Sequence, residues 1–268
     1  IFSPLITCDK IHFNKIFKIF QIRKFFLIVI IFSMITSGYA LGSDEDNDGI
    51  DDGEEISLAQ KYAPILYFEK EEELYPVAIQ YHLSNSNLNQ STEDGNLLID
   101  ASPSIQELSL YTDPDANYYL DNRKGTINDT GIIKDYQEKL ATLGYVIYCH
   151  VLRDGNETVI QYWMFYAFNK GPLNTHEGDW EMVQIILDSS NEPVEAMFSQ
   201  HISGQRAEWS QVEKDGEHMK VYVARGSHAN YFRPYQGMLG LARDVVGKNG
   251  KVLTPEDYIL TVSYTHLR

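Results

Sequence analysis

The sequence predicts a mainly β protein, an antiparallel β-sandwich with a few peripheral helices and a truncated C-terminus. Three observations carry that expectation. Five strand-length runs rich in Val, Ile, Tyr, Phe and Trp follow one another between residues 145 and 225. Turn signals such as Asp154-Gly155-Asn156 and Asp215-Gly216 separate them at hairpin distances. Tyrosine is heavily used, with 18 residues, which suits pleated, half-buried surfaces.

Taken in order, Glu55–Tyr62 reads as a short helix stopped by Ala63-Pro64, because the residue before proline leaves the α region. Ile65–Phe68 reads as a strand. Residues 84–96 and 112–130, rich in Asn, Asp, Ser and Gly, read as loops. Ile133–Leu143 reads as a helix with Gly144 past its end. The remaining strands are expected at Tyr145–Leu152, Thr158–Phe168, Asp179–Leu187, Val194–His201 and Met219–Arg225. No repeat of fixed period is present.

Both ends read as something other than fold. Phe25–Ile35 is a short apolar core preceded by Lys10, Lys15, Lys18, Arg23 and Lys24 and followed by Gly38-Tyr39-Ala40. That order is a secretory signal removed near Ala40, and the run is shorter than the about 20 residues a spanning helix needs. The protein is therefore expected to be secreted or displayed at the cell surface. The sequence opens on Ile1, and its first twenty residues read as upstream translation. At the other end, residues 262–268 (VSYTHLR) read as a translated adapter tail, so the domain is expected to span 56–261 and to lack its C-terminal part.

Residues 1–40 hold five of the 22 Lys and Arg and one of the 38 Asp and Glu, leaving a formal charge of −20 on the remainder. Such a surface repels nucleic acid, whose binding depends on neutralised phosphates. It also repels anionic membranes unless cations bridge the two. Of two cysteines only Cys149 lies beyond the signal, so no internal disulfide is available. About 210 residues are enough for one well-cored domain.

An acidic linker, residues 41–55, precedes the domain. Asp44, Asp46 and Asp48 occupy positions 1, 3 and 5 of a twelve-residue Ca²⁺ loop, Gly49 position 6 and Glu55 position 12. Ile50 offers a carbonyl and Asp52 stands at position 9. The segment resembles the calcium repeats of thrombospondin type 3 modules and dockerins, although position 8 is Asp51 rather than an apolar residue. The alternative is a solvated acidic spacer.

Chemistry concentrates in HEGDWE (176–181), SQH (199–201) and ARGSHANYF (224–232). Asp179 and Glu181, two apart in a strand, point to one face. His176 enters the same strand, and one imidazole with two carboxylates suits Ca²⁺, Mg²⁺ or Mn²⁺. A zincin would need a second histidine where Trp180 stands. His201, His228, Arg225 and Trp209 are pocket candidates; each alone also reads as an ordinary strand-end or packing residue. Ser227 beside His228 lacks the G-x-S-x-G elbow of a hydrolase.

HEGDWE, SQH and VYVARGSHANYF, with the opening LAQKYAPILYF and Glu73-Leu74-Tyr75-Pro76, resemble the vacuolar protein sorting-associated protein 62 family across about residues 58–235. The sorting in that name does not transfer to an exported protein. A more distant resemblance joins HEGDWE to the GHRHDWE heptapeptide of necrosis- and ethylene-inducing toxins. It implies a β-sandwich in which His176, Asp179 and Glu181 hold a divalent cation, with His201 and His228 matching two further histidines. Gly178 stands where that family has a second histidine, and Asn169 or Asn174 falls near its further aspartate.

Three functions follow as expectations. The first is a secreted, divalent-metal-dependent binding protein for a polar lipid headgroup or glycan. The second is a metal-assisted hydrolase with His201 or His228 as base. The third is a calcium-stiffened cell-surface structural module. Nothing in the sequence fixes the oligomeric state.

Overall fold

The computed structural model describes residues 44–45, 49–113, 115–126, 128–171, 175–201, 203–235 and 242–262. The signal segment 1–40, linker residues Asp46 and Asp48, Asn174 and residues 263–268 lie outside the described residues. Among those described, no helix is long and apolar enough to cross a membrane.

The protein is a β-sandwich whose larger sheet is covered on both faces. Strands β5 (Tyr145–Asp154), β6 (Glu157–Lys170), β7 (Thr175–Leu187), β8 (Pro193–Gln200) and β9 (Ser203–Glu208) form an antiparallel meander. Strand β14 (Tyr258–Val262) extends it by pairing parallel with β5, Val262 opposite Cys149. The facing sheet holds β1 (Ile65–Tyr67), β10 (Lys214–Asp215), β11 (His218–Val223), β12 (Asn230–Tyr231) and β13 (Val252–Leu253). Here β1 runs parallel to β11. Two parallel pairs thus interrupt an otherwise antiparallel arrangement.

Alternation decides which side chains enter the sandwich. Ile160, Tyr162, Met164 and Tyr166 of β6 and Val183, Ile185 and Leu187 of β7 point inward, against Leu66, Val221 and Val223 of the second sheet. Asp179 and Glu181 share the parity of Val183, so both carboxylates face the interior. The opposite parity, Phe165 and Trp180 among others, packs beneath a second core. Because both faces are covered, β5–β7 read as nearly continuous apolar runs.

Helix α1 (Asp52–Lys61) is capped by Asp51, whose carboxylate accepts from the Gly53 N–H, and buries Leu58 and Ala59 in the sandwich core. Ile50 is buried in the same core. After the short α2 (Gln80–Asn85) and α3 (Ile105–Leu108), helix α4 (Thr130–Leu143) lays Ile132, Ile133, Tyr136 and Leu140 on the second core. Gly144 ends it at φ 75°, its N–H returning to the Leu140 carbonyl.

The two polar segments expected to be loops are not loops throughout. Residues 86–92 form β2 (Ser86–Thr92), and residues 118–122 form β4 (Tyr118–Asn122). With β3 (Gly95–Asp100) they make a three-stranded sheet ordered β3-β2-β4. Their apolar alternation is faint because Leu88 is the one buried apolar side chain of β2. Polar groups tie the sheet instead: Asn89 of β2 donates to Asp121 of β4 at 3.1 Å, and the Ser86 hydroxyl links β2 to α2 by donating to the His82 carbonyl at 2.7 Å.

Candidate functional site

The inward parity of β7 places Asp179 and Glu181 in a buried polar cluster between the sheets. Asp179 Oδ2 lies 2.8 Å from His228 Nδ1 and accepts from Asn169 Nδ2 at 3.3 Å. Asn169 is itself fixed, its Oδ1 accepting from the Gly171 N–H at 2.8 Å. His228 is fully buried, sits at φ 55° in the turn between β11 and β12, and stacks flat on Tyr166, with centroids 3.8 Å apart.

Glu181 accepts from the Ser199 hydroxyl of β8. Burial pushes the Glu181 carboxyl well above the usual carboxylate range, and the neighbouring Asp179 charge pushes it further. Burial raises the Tyr166 phenol too, and Glu181, Glu72 and Asp179 add to it. Tyr166 Oη has no hydrogen-bond partner among the described residues, nor has His228 Nε2, which lies 4.0 Å from Glu72 Oε1.

Glu72 comes from the loop after β1. Its Oε1 accepts from the backbone of Glu73 and Leu74, and its Oε2 from the Gly226 N–H at 2.7 Å. Gly226 has φ 73°, and a Cβ there would stand 2.8 Å from the Lys170 carbonyl oxygen. No larger residue allows this approach. Over Glu72 and Gly226 opens a cavity of about 580 Å³, flanked by Glu71, Lys170, Arg225 and Arg243.

A second hub adjoins the first. Asp244, almost fully buried, accepts from Ser227 Oγ at 2.6 Å and Tyr231 Oη at 2.6 Å, and pairs with His201 Nε2 at 2.7 Å. Burial alone would raise its pKa, but these hydrogen bonds outweigh burial and hold it below the ordinary aspartate value. The same bond raises the His201 pKa.

The pocket candidates separate. His228 joins the acid cluster, whereas His201 belongs to the adjoining hub, bonded to Asp244. Arg225 lines the open cavity, but its guanidinium pairs with Glu71 and, at 3.5 Å, with Glu69, not with Asp179 or Glu181. Trp209 is not among the residues lining the cavity over Glu72; it packs edge-on to Tyr62 with Lys214 over its ring. His176 is half-buried, its Nδ1 3.3 Å from the Glu177 carbonyl oxygen. The Ser227 hydroxyl donates to Asp244 rather than to a histidine, so it has no base of its own.

In the linker, Asp44 Oδ2 accepts from the Gly49 N–H and Asp52 Oδ1 from the Glu45 N–H, both at 3.1 Å. Gly49 takes φ 89°, and Glu55 is buried in the first turns of α1.

Glu72, Asp244 and Tyr166 escaped the sequence reading. Glu72 sits in the run Glu69–Glu73, which looks like a solvated charged face. Asp244 lies in a segment without strand patterning. Tyr166 could have been found, since it shares the inward parity of Tyr162 and Met164 and stands opposite Asp179 in the β6–β7 register.

Among the described residues no three His, Cys, Asp or Glu side chains form a ready-made metal group. The donor set of Asp179 and Glu181, two buried carboxylates close enough that the Asp179 charge raises the Glu181 pKa, nevertheless fits a hard cation; among the described residues Asp179 is paired with His228 and no Lys or Arg pairs with either acid.

A sandwich with a buried acidic hub beneath an open charged cavity is the class this chain defines. It belongs to the vacuolar protein sorting-associated protein 62 family, whose sequence profile matches residues 48–260. No curated protein sequence matches the chain. Several solved structures share its outline at low identity. One, described as a toxin fold for microbial attack and plant defence, is 14% identical with a TM-score of 0.40, over 76% of this chain and 72% of that one. Another, NLPPya in complex with glucosamine, is 14% identical with a TM-score of 0.39, over 77% and 73%. A third, necrosis and ethylene inducing protein 2 from the causal agent of witches' broom disease of cocoa, is 13% identical with a TM-score of 0.36, over 76% and 72%. These values describe a distant likeness, and no function is transferred from them.

Proposed function

We propose that the protein is a secreted binding protein that holds a divalent cation, Ca²⁺, Mg²⁺ or Mn²⁺, at Asp179 and Glu181. Through that cation it recognises a polar ligand, a glycan or lipid headgroup, entering by the cavity over Glu72. The observation that carries the reading is the buried Asp179–Glu181 pair, in which Asp179 is bonded to the His228 imidazole and Glu181 to the Ser199 hydroxyl, with no Lys or Arg paired with either among the described residues. Two like charges out of water must be relieved by a proton or by a cation, and the raised Glu181 pKa marks that need.

The oxygen donors suit a hard cation. His176 is the third ligand the sequence names; its Nδ1 lies by the Glu177 carbonyl and is not engaged with either acid. When bound, the cation supplies a Lewis-acidic point for hydroxyl or phosphate oxygens. The chain's own residues do the rest: His228 and Asn169 orient Asp179, and Ser199 orients Glu181. The absence of a nucleophile–base pair at Ser227 favours binding over hydrolysis. A second cation, Ca²⁺, is proposed for the Asp44–Glu55 loop, supported by the ligand spacing and by the Asp44 and Asp52 carboxylates, which accept from the Gly49 and Glu45 N–H groups.

Calorimetric titration of the full chain with Ca²⁺, Mg²⁺ and Mn²⁺ tests this. Two classes of site are expected, one lost in Asp179→Ala and the other in Asp44→Ala. A folded wild type whose divalent binding is untouched by Asp179→Ala contradicts the reading.

A further inference from the structure

On the far side of β7 from the acid cluster lies a separate cavity of about 200 Å³. Its walls include Tyr111, Tyr118, Phe165 and Trp180, with His82 and Glu177 as its polar members. Gly178 makes the switch between the two faces. Its φ of 67° lets Glu177 turn outward, where Glu177 Oε2 accepts from the Asn122 N–H at 2.7 Å, while Asp179 points inward.

The rings stand in two pairs, Tyr111 with Tyr118 at 5.1 Å and Phe165 with Trp180 at 5.0 Å. Tyr111, Tyr118 and Trp180 are half-buried, so part of each ring stays accessible. Among the described residues no Lys or Arg lines the cavity, and Glu177 is the one carboxylate in its lining. His82 is buried without a partner for Nδ1 among the described residues, and burial pushes its pKa down to about 4, so it stays neutral near pH 7. Aromatic faces plus a single carboxylate attract a cation. A metal ion would want several oxygen ligands, and one carboxylate does not supply them. A bulky organic cation, weakly hydrated, wants the rings.

We propose that this cavity binds a quaternary ammonium group, held over the Tyr118 and Trp180 rings with Glu177 as counter-ion. The volume is below the about 300–1,000 Å³ typical of sites for whole drug-sized ligands, so it fits a headgroup. Leu110, 76% exposed, directly precedes the lining residue Tyr111 in sequence and would be available to an apolar surface if the headgroup sits on a lipid. The site stands independently of the cation at Asp179.

Choline and its neutral isostere 3,3-dimethylbutan-1-ol, titrated into the full chain, test the proposal. Choline should bind saturably and the neutral isostere at least about tenfold more weakly, since the charge supplies the cation–π and counter-ion terms. Glu177→Gln, which keeps an acceptor for the Asn122 N–H, should weaken choline about tenfold, and Tyr118→Ala by a similar factor, with near-ultraviolet circular dichroism confirming folded variants. Co-sedimentation with phosphatidylcholine but not phosphatidylglycerol vesicles, lost in Glu177→Gln, would assign the group to lipid; choline binding without sedimentation would assign it to a soluble molecule. No choline binding by folded wild type, equal binding of the isostere, or an unaffected Glu177→Gln would overturn the proposal.

Discussion

Replacing Asp244 by alanine should be among the most damaging single changes in this protein. Its carboxylate satisfies Ser227 and Tyr231, both buried, and His201, whose side chain is 36% exposed. In Asp244→Ala the His201 ring can turn to water, but two buried hydroxyls lose their partner. Each stranded hydroxyl costs about 1–3 kcal/mol, so the variant should lose about 2–6 kcal/mol. Urea denaturation followed by tryptophan fluorescence measures this, with an unchanged m-value confirming that stability alone moved. The pair also has a pH signature. Asp244, depressed below the ordinary aspartate value of 3.8, stabilises above that value, and its contribution is lost as pH falls through the folded pKa. His201, raised above 6.5, stabilises fully below that value, and its contribution is lost as pH rises through its folded pKa. The wild type should therefore gain most from the pair between about pH 4 and 6.5, and Asp244→Ala should flatten that window. Because His201 is partly solvated, its share is at most about 1 kcal/mol. An Asp244→Ala protein within about 0.5 kcal/mol of wild type would refute the reasoning, since it would mean the hydroxyls are satisfied elsewhere.

Three further outcomes are expected. Tyr166→Phe removes a buried hydroxyl that has no hydrogen-bond partner among the described residues, so the metal-free protein should be as stable as wild type or more so, by up to about 1–2 kcal/mol in urea melts. Gly226→Ala meets both a positive φ and the Lys170 carbonyl, so it should cost upward of about 1 kcal/mol by the same assay. Adding saturating divalent cation should raise the midpoint of thermal unfolding of wild type, by mass action on the native state, and chelation should reverse the shift. A midpoint indifferent to cation in both directions would count against the buried site.

Much of the sandwich could be read from the chain because burial on both faces wrote long apolar runs into β5–β7. That Asp179 and Glu181 share one face followed from strand parity; that this face is the interior of the sandwich did not. The β2–β4 sheet was hidden because its strands are held by pairs such as Asn89–Asp121, and polar residues in sequence look like loop. The acid hub was only half visible. Its β7 members obey a local period, whereas Glu72 and Asp244 arrive from loops distant in sequence, and only the packing of the two sheets brings them to His228 and His201. Arg225 illustrates the converse: three residues before His228 in sequence it reads as a pocket candidate, but its guanidinium pairs with Glu69 and Glu71 rather than with the buried acids.

The most direct test of the buried cation is a crystal of the full chain grown with Mn²⁺ and measured at the manganese absorption edge. An anomalous peak in contact with the carboxylates of both Asp179 and Glu181 is the predicted result. A peak confined to the Asp44–Glu55 loop, with Asp179 still bound to His228 and nothing against Glu181 but Ser199, would contradict the account.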